Sequence, residues 1–187
     1  MLNIHDGIEA GALHARIGVV VCSRPSAAGV ERARARGLPT QVIERAGLNE
    51  AAFQRRLTEA VAGADLVCMA GFLSLWRIPQ DYLGRVINIH PALLPDFGGP
   101  GMYGHRVHAA VIAACRTESG CTVHFCDNQY DHGPIILQRR VPVLTTDTPD
   151  TLAARVFEQE CIAYPQVIEL FCEDRIRLEG ENVHMLD

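Results

Sequence analysis

Asn88 and His90 are the first side chains in this sequence whose types and spacing suggest chemistry. They lie two residues apart in the otherwise apolar run 85–90, which reads RVINIH. In a β-strand the side-chain period is two, so both point to the same face. An amide N–H group can stabilise an oxyanion, and an imidazole can accept or donate a proton near neutral pH. The alternative is that both side chains only satisfy nearby backbone groups.

Asp131 is the third candidate, in a polar loop that follows the strand-like run CTVHFCD at 121–127. The loop leaves through Gly133 and Pro134. A carboxylate placed beside an imidazole orients the ring and stabilises its cation. The loop therefore offers a partner for His90, and the alternative is an ordinary turn aspartate.

A glycine-rich segment occupies residues 98–104 and leads into His105 and His108. Glycines allow a backbone to approach a ligand closely. The segment lacks the strand-then-helix frame of a nucleotide-phosphate loop, which argues against that kind of site. The two histidines have the i, i+3 spacing of a shared metal site but no companion motif. We interpret them as loop and helix-surface histidines and predict no metal.

Buried strands alternate with amphipathic helices along the chain. The pattern predicts strands at 16–23, 40–44, 64–72, 85–90, 121–127 and 134–144, and helices at 27–36, 49–62, 105–115 and 148 to about 164, with a continuation past Pro165 left open. Continuous apolar strands between helices are typical of an α/β fold with a mostly parallel, doubly wound sheet. Ligands collect at the carboxyl ends of such strands, so the segments after RVINIH and CTVHF are expected to form a site.

Composition narrows the class of protein. The 187 residues suit one domain, and the net charge of −5 argues against a nucleic-acid-binding protein. No apolar run approaches the ~20 residues that span a bilayer, and the first residues do not resemble a signal peptide. The seven cysteines are odd in number and include no CxxC pair, which favours free thiols in a reducing cytoplasm.

Several blocks resemble the phosphoribosylglycinamide (glycinamide ribonucleotide) formyltransferases, within the folate-dependent formyltransferase family. They include VVVCSRPSAAGVERARARGLP, DLVCMAGFLSLW, RVINIHPALLPDFGG and SGCTVHFCDNQYDHGPII, in the family's order and spacing. The resemblance covers the whole chain, and NIHPALLP with a later D-x-G-P is specific to folate formyltransferases. It implies one domain over 1–187 that moves a formyl group from 10-formyltetrahydrofolate to glycinamide ribonucleotide in purine synthesis, without a metal, nucleic acid or membrane. A homodimer is left open.

The resemblance also implies residue roles. Asn88 corresponds to the residue that polarises the formyl oxygen, His90 to the acid/base, and Asp131 to the carboxylate that holds the histidine. The pterin pocket and its closing loop correspond to Leu73, Ser74, Leu75, Trp76, Asp127, Asn128, Gln129 and Tyr130. The acceptor substrate is expected at Glu160 and Pro91.

The resemblance has a gap at the N-terminus. Family members begin with a strand and a glycine-serine-rich phosphate loop, and Met1–Ile4 aligns with the helix that follows. We therefore expect the family's first strand and phosphate loop to be missing from 1–187, with weaker ribonucleotide binding and lower stability than in a longer chain. The alternatives are a formyltetrahydrofolate hydrolase, another folate formyltransferase, or a non-catalytic folate-binding relative.

Overall fold

The fold contains five helices and eight strands in the part of the chain that the computed structural model describes, residues 1–186. The helices are α1 Leu2–Glu9, α2 Ala28–Ala35, α3 Glu50–Ala60, α4 His105–Ala113 and α5 Pro149–Cys172. The strands are β1 Val20–Cys22, β2 Thr40–Val42, β3 Val67–Met69, β4 Val86–His90, β5 Glu118–Phe125, β6 Ile135–Pro142, β7 Ile176–Glu179 and β8 Asn182–Met185. All the predicted strands and helices occur in the predicted order, and the structure also contains the β7–β8 hairpin, which was not predicted.

The central sheet has the order β3-β4-β5-β6, while β1-β2 and β7-β8 form separate two-stranded sheets. Pairs β1–β2 and β3–β4 are parallel, whereas β4–β5 and β5–β6 are antiparallel. The α/β class is confirmed, and the sheet is mixed instead of mostly parallel. The loop 126–134 accounts for the antiparallel β5–β6 pair, because it returns the chain directly as a hairpin, where a parallel connection needs a longer crossover.

Helices cover the sheet through two apolar cores. The larger core packs α4 and α5 against β4 and β5 and includes Val111, Phe125, Leu152 and Val167, all almost fully buried. The smaller core joins α3 to the β3–β4 side around Phe53 and Trp76, among others. Together they hold β4 and β5, the two strands that carry the candidate residues.

Helix α5 positions one wall of the site and is fixed at its start by a capping box. Thr148 accepts a hydrogen bond from the Thr151 backbone N–H, and the Thr151 hydroxyl accepts one from the Thr148 backbone N–H. Such a cap satisfies two N–H groups that the first helical turn leaves free. The helix continues through Pro165 to Cys172, which is the longer of the two ends that the sequence left open.

All seven cysteines are free thiols. Burial raises the pKa of Cys68 and of Cys121 to about 12, so both stay protonated near neutral pH. Among the helices of residues 1–186, none combines the length and the apolar character that a membrane span requires.

Candidate active site

Asn88, His90 and Asp131 lie together in the structure. The His90 Nδ1 atom is 3.4 Å from Asp131 Oδ2, and the Asn88 amide nitrogen donates to Asp131 Oδ1 at 3.3 Å. His90 is 3% exposed and the Asp131 side chain 11%. The three side chains therefore form one buried polar cluster, as the strand period and the loop position predicted.

The route by which Asp131 reaches this cluster differs from the expected one. Because β5 runs antiparallel to β4, its last residue, Phe125, lies beside Ile87 and not beside His90. The loop 126–134 then folds back along β4 and places Asp131 at a backbone φ of 50°. The loop 126–134, which lies beside β4, therefore completes the site. The carboxyl ends of β4 and β5 do not meet at one edge of the sheet.

Glycines let this loop pack closely. A Cβ atom added at Gly133 would lie 2.0 Å from the Phe125 carbonyl oxygen, a distance that no real Cβ contact shows. A Cβ at Gly98 would lie 2.5 Å from Leu94 Cδ2 and 3.1 Å from Asp131 Cβ. Gly133 is therefore required by the close approach of two backbone segments, whereas at Gly98 the flexible end of the Leu94 side chain could move aside.

The hydrogen bonds and charges around Asp131 favour its ionised form. Burial by itself raises the pKa of Asp131, but the hydrogen bond and charge of His90 and the Gly99 backbone N–H, at 3.0 Å, outweigh it and lower that pKa. Asp131 is therefore ionised near neutral pH. The other ring nitrogen of His90, Nε2, donates to the Phe97 carbonyl oxygen at 2.9 Å. A ring with hydrogens on both nitrogens satisfies both of these acceptors.

His124 joins the cluster, and the sequence analysis did not assign it a role. It is 1% exposed, and its Nε2 atom lies 3.1 Å from the Asn88 amide nitrogen. Its Nδ1 atom lies 2.8 Å from the Phe125 carbonyl oxygen, and burial lowers the pKa of the ring. The signal was present in CTVHF, because the period of two places Thr122 and His124 on one face of a buried strand, as with Asn88 and His90.

The cluster borders a cavity of about 990 Å³, which is large enough for a drug-sized ligand. Most of the residues expected to bind substrates line it: Leu73, Ser74, Leu75, Trp76, Pro91, Asp127, Gln129, Tyr130 and Glu160. The Tyr130 hydroxyl donates to the Leu73 carbonyl oxygen at 3.3 Å. This contact joins the loop to the opposite wall of the cavity.

Two of the expected pocket residues have mainly structural contacts. Asn128 is not among the lining residues, and its side-chain oxygen accepts the Ile78 backbone N–H at 2.8 Å, which ties the loop to the wall. Trp76 borders the cavity but is only 4% exposed. Its indole N–H donates to Thr58 Oγ1 at 3.2 Å. The Asn128 side-chain oxygen thus helps to hold the loop, and the role of Asn128 in folate binding stays a prediction.

Glu160 lies on α5 and lines the same cavity. Burial raises its pKa to about 7, although the nearby positive charge of His90 acts in the opposite direction. The carboxyl group therefore changes charge close to neutral pH. A polar partner supplied by a ligand would offset the cost of its burial.

The two histidines of α4 differ from each other. His105 is exposed and pairs with Asp150 at 2.9 Å, as a helix-surface residue does. His108 is only 4% exposed and lines the cavity, and its Nδ1 atom has no hydrogen-bond partner within residues 1–186. The surface interpretation is wrong for His108, because this side of the helix packs towards α5. Across the same described range, no three His, Cys, Asp or Glu residues are arranged to hold a metal ion.

The chain is similar in sequence to one family of known proteins. The family model described as "Formyl transferase" matches residues 1–168. The chloroplastic phosphoribosylglycinamide formyltransferase of Arabidopsis thaliana is 37% identical over 98% of this chain, which spans 65% of that relative's length. The phosphoribosylglycinamide formyltransferase of Escherichia coli is 35% identical, with 98% of this chain and 86% of the relative covered.

A solved structure shows the same architecture. Glycinamide ribonucleotide transformylase 1 from Symbiobacterium toebii superposes with a TM-score of 0.90 at 39% identity, over 99% of this chain and 87% of the other. The family match extends over most of the sequence and includes both β4 and the loop that carries Asp131. The chain belongs to the formyl transferase family.

Proposed function

We propose that this chain transfers the formyl group of 10-formyltetrahydrofolate to the amine of glycinamide ribonucleotide, as a single formyltransferase domain. The observation that carries the proposal is the buried cluster of Asn88, His90 and Asp131 at the wall of a substrate-sized cavity. Its amide and imidazole suit a reaction that passes through an oxyanion. The names of the relatives above supply the substrate class.

The folate that donates the formyl group binds in the slot between residues 71–76 and the loop residues 126–131. Leu73 and Tyr130 stand on its two sides, each about two-fifths exposed, and offer apolar surface for a flat pterin. Such sites combine apolar walls with a few fixed polar groups. Asp127 contributes one of these, and its position is fixed because it accepts the Gln129 backbone N–H at 2.7 Å.

The ribonucleotide that accepts the formyl group binds in the part of the cavity next to Glu160 and Pro91. Glu160 lies on α5 and lines this part of the cavity, and the positive charge of His90 acts on it. A carboxyl group that titrates near neutral pH can accept a hydrogen bond from an amine or a hydroxyl group. We assign it to the ribonucleotide substrate.

The chemical step is nucleophilic acyl transfer. The amine nitrogen attacks the formyl carbon, and the carbonyl electron pair moves to oxygen as the tetrahedral intermediate forms. Asn88 and protonated His90 stabilise this oxyanion. The bond from carbon to the folate nitrogen then breaks, and its electron pair stays on that nitrogen. One proton leaves the amine and one reaches the folate nitrogen, through His90 or a water near Asp131.

The direct test is turnover of the purified chain with both substrates. We expect tetrahydrofolate to appear in step with formylated glycinamide ribonucleotide, and no turnover without the ribonucleotide. Release of formate from 10-formyltetrahydrofolate alone would instead identify a hydrolase. Binding of the folate without either reaction would identify a non-catalytic relative.

Glu160→Gln should make the free protein more stable at pH 8 but not at pH 4. The folded pKa of about 7 lies above the ordinary value of 4.5, so the unfolded chain ionises first as pH rises. Stability is complete below the unfolded pKa and falls as pH rises through the folded one. The parent should lose on the order of 3 kcal/mol relative to the variant between these limits.

Urea unfolding of both proteins from pH 4 to pH 8 measures this difference. Glu158→Gln, a change at an exposed position of the same helix, is the matched control. If the free energies of unfolding of the parent and of Glu160→Gln changed with pH in the same way, Glu160 would ionise in the folded state with its ordinary pKa.

In ligand-binding measurements, Glu160→Gln should weaken the binding of glycinamide ribonucleotide more than the binding of the folate.

A further inference from the structure

The Asn88 side chain has two N–H hydrogens, and both are in use. Its amide nitrogen lies 3.1 Å from His124 Nε2 and 3.3 Å from Asp131 Oδ1. An ionised carboxylate only accepts hydrogen bonds, so the atom facing Asp131 must be the nitrogen and not the amide oxygen. The orientation of the amide thus follows from its partners.

The protonation state of His124 follows in the same way. A backbone carbonyl only accepts, so the Nδ1 atom that lies 2.8 Å from the Phe125 oxygen carries a hydrogen. Burial lowers the pKa of His124, so the ring is neutral near neutral pH. Its Nε2 atom then has a lone pair and accepts from Asn88. One carbonyl on β5 therefore fixes the tautomer of His124, and His124 in turn fixes the amide plane of Asn88.

The two contacts of Asn88 are not equivalent. The contact with His124 is the shorter, and His124 belongs to the almost fully buried strand β5. The contact with Asp131 is longer, and the other oxygen of Asp131 is held separately by Gly99 N–H and His90. Asp131 can therefore lose its contact with Asn88 and stay in place. His124 Nε2 also lies 3.9 Å from Asp131 Oδ1, but an ionised carboxylate cannot donate to it, so Asn88 is its one donor among the contacts of residues 1–186.

We propose that His124 is a positioning residue that holds one N–H of Asn88 while the other N–H passes from Asp131 to the formyl oxygen of the substrate. The proposal rests on the proposed function for the identity of that oxygen. The hydrogen bond to His124 persists through the reaction, so the donor stays aimed when the oxyanion forms. Without it the amide can rotate about its side-chain bonds and present its oxygen, which repels an oxyanion.

The first test compares two replacements of His124. His124→Leu removes the acceptor, and we expect kcat to fall on the order of 10²-fold, as for a lost oxyanion donor. The KM for the folate should change by less than about threefold, since the pocket walls are untouched. His124→Gln offers a side-chain oxygen as acceptor and should regain most of the loss. His184→Leu, on the exposed β8 strand, is the control.

A double-mutant cycle separates positioning from mere stability. If His124 acts through Asn88, adding His124→Leu to Asn88→Ala should lower kcat by less than about threefold further. An equal loss in both backgrounds would overturn the proposal, and so would unchanged turnover in His124→Leu.

Nitrogen NMR of the parent protein tests the same geometry without turnover and without a variant. Long-range proton–nitrogen spectra should show His124 protonated at Nδ1 and bare at Nε2 between pH 6 and pH 8. A ring protonated at Nε2 would overturn the proposal, whether or not the variants fold. If the parent transfers no formyl group to glycinamide ribonucleotide but His124 has the expected tautomer, the proposed function fails and the positioning of Asn88 stands.

Discussion

His90→Ala is expected to lower kcat by roughly 10²–10⁴-fold, the usual loss for an acid/base residue. The ring lies between two oxygen acceptors, Asp131 at 3.4 Å and the Phe97 carbonyl at 2.9 Å. A ring held in this way can take up and pass on a proton at the cavity wall, and alanine cannot. Asn88→Ala, which removes the amide donor, should cost about 10²–10³-fold.

Steady-state kinetics with both substrates measure these losses, and circular dichroism checks that each variant is folded. His14→Ala is the matched control, because His14 is an exposed histidine paired with Glu169. Its kcat should equal that of the parent. Parent-like turnover in His90→Ala would refute the acid/base role, and parent-like turnover in Asn88→Ala would refute the donor role.

Gly133→Ala should lower both stability and kcat. Its Cβ would lie 2.0 Å from the Phe125 carbonyl oxygen, so the backbone between β5 and β6 has to move. Forced displacement of this kind costs about 1–3 kcal/mol in a packed structure. Asp131 lies two residues earlier on the same loop, so the displacement also disturbs its contacts with Asn88 and His90. The fall in kcat should exceed what the loss of folded protein explains.

Gly18→Ala is the control for this change, because a Cβ there meets no atom within 4 Å. Urea unfolding gives the stability of each variant, and kcat is measured where each is fully folded. If Gly133→Ala matched the parent in both measurements, the loop would be able to shift without moving Asp131. The close packing would then not be what positions the carboxylate.

Local sequence patterns were sufficient to predict the helices and strands and part of the candidate site. The period of two in RVINIH placed Asn88 and His90 on one face, and both now contact Asp131. The helix predicted from residue 49 does start there, and the Asn49 side-chain oxygen caps it by accepting the Ala52 backbone N–H at 2.8 Å. These features depend on residues close together in the chain, where backbone geometry alone sets the contact.

The direction of β5 and everything that depends on it were decided by the tertiary structure. An apolar strand pattern reports burial but not the strand's neighbour, so the antiparallel β4–β5 pair was not anticipated. That pair places His124 beside Asn88, and the loop that follows folds back to deliver Asp131. Such pairings join residues far apart in sequence, and no local pattern encodes them.

Burial within the cavity was also decided by packing between distant elements. His108 and Glu160 lie on different helices, and their sequence neighbourhoods resemble those of ordinary helix-surface residues. Contact between α4, α5 and the sheet removes water from both side chains, which lowers the pKa of His108 and raises that of Glu160 to about 7. The sequence by itself determined which residues could react, and the assembled layers decided their charge and their partners, because desolvation depends on all the atoms that surround a group.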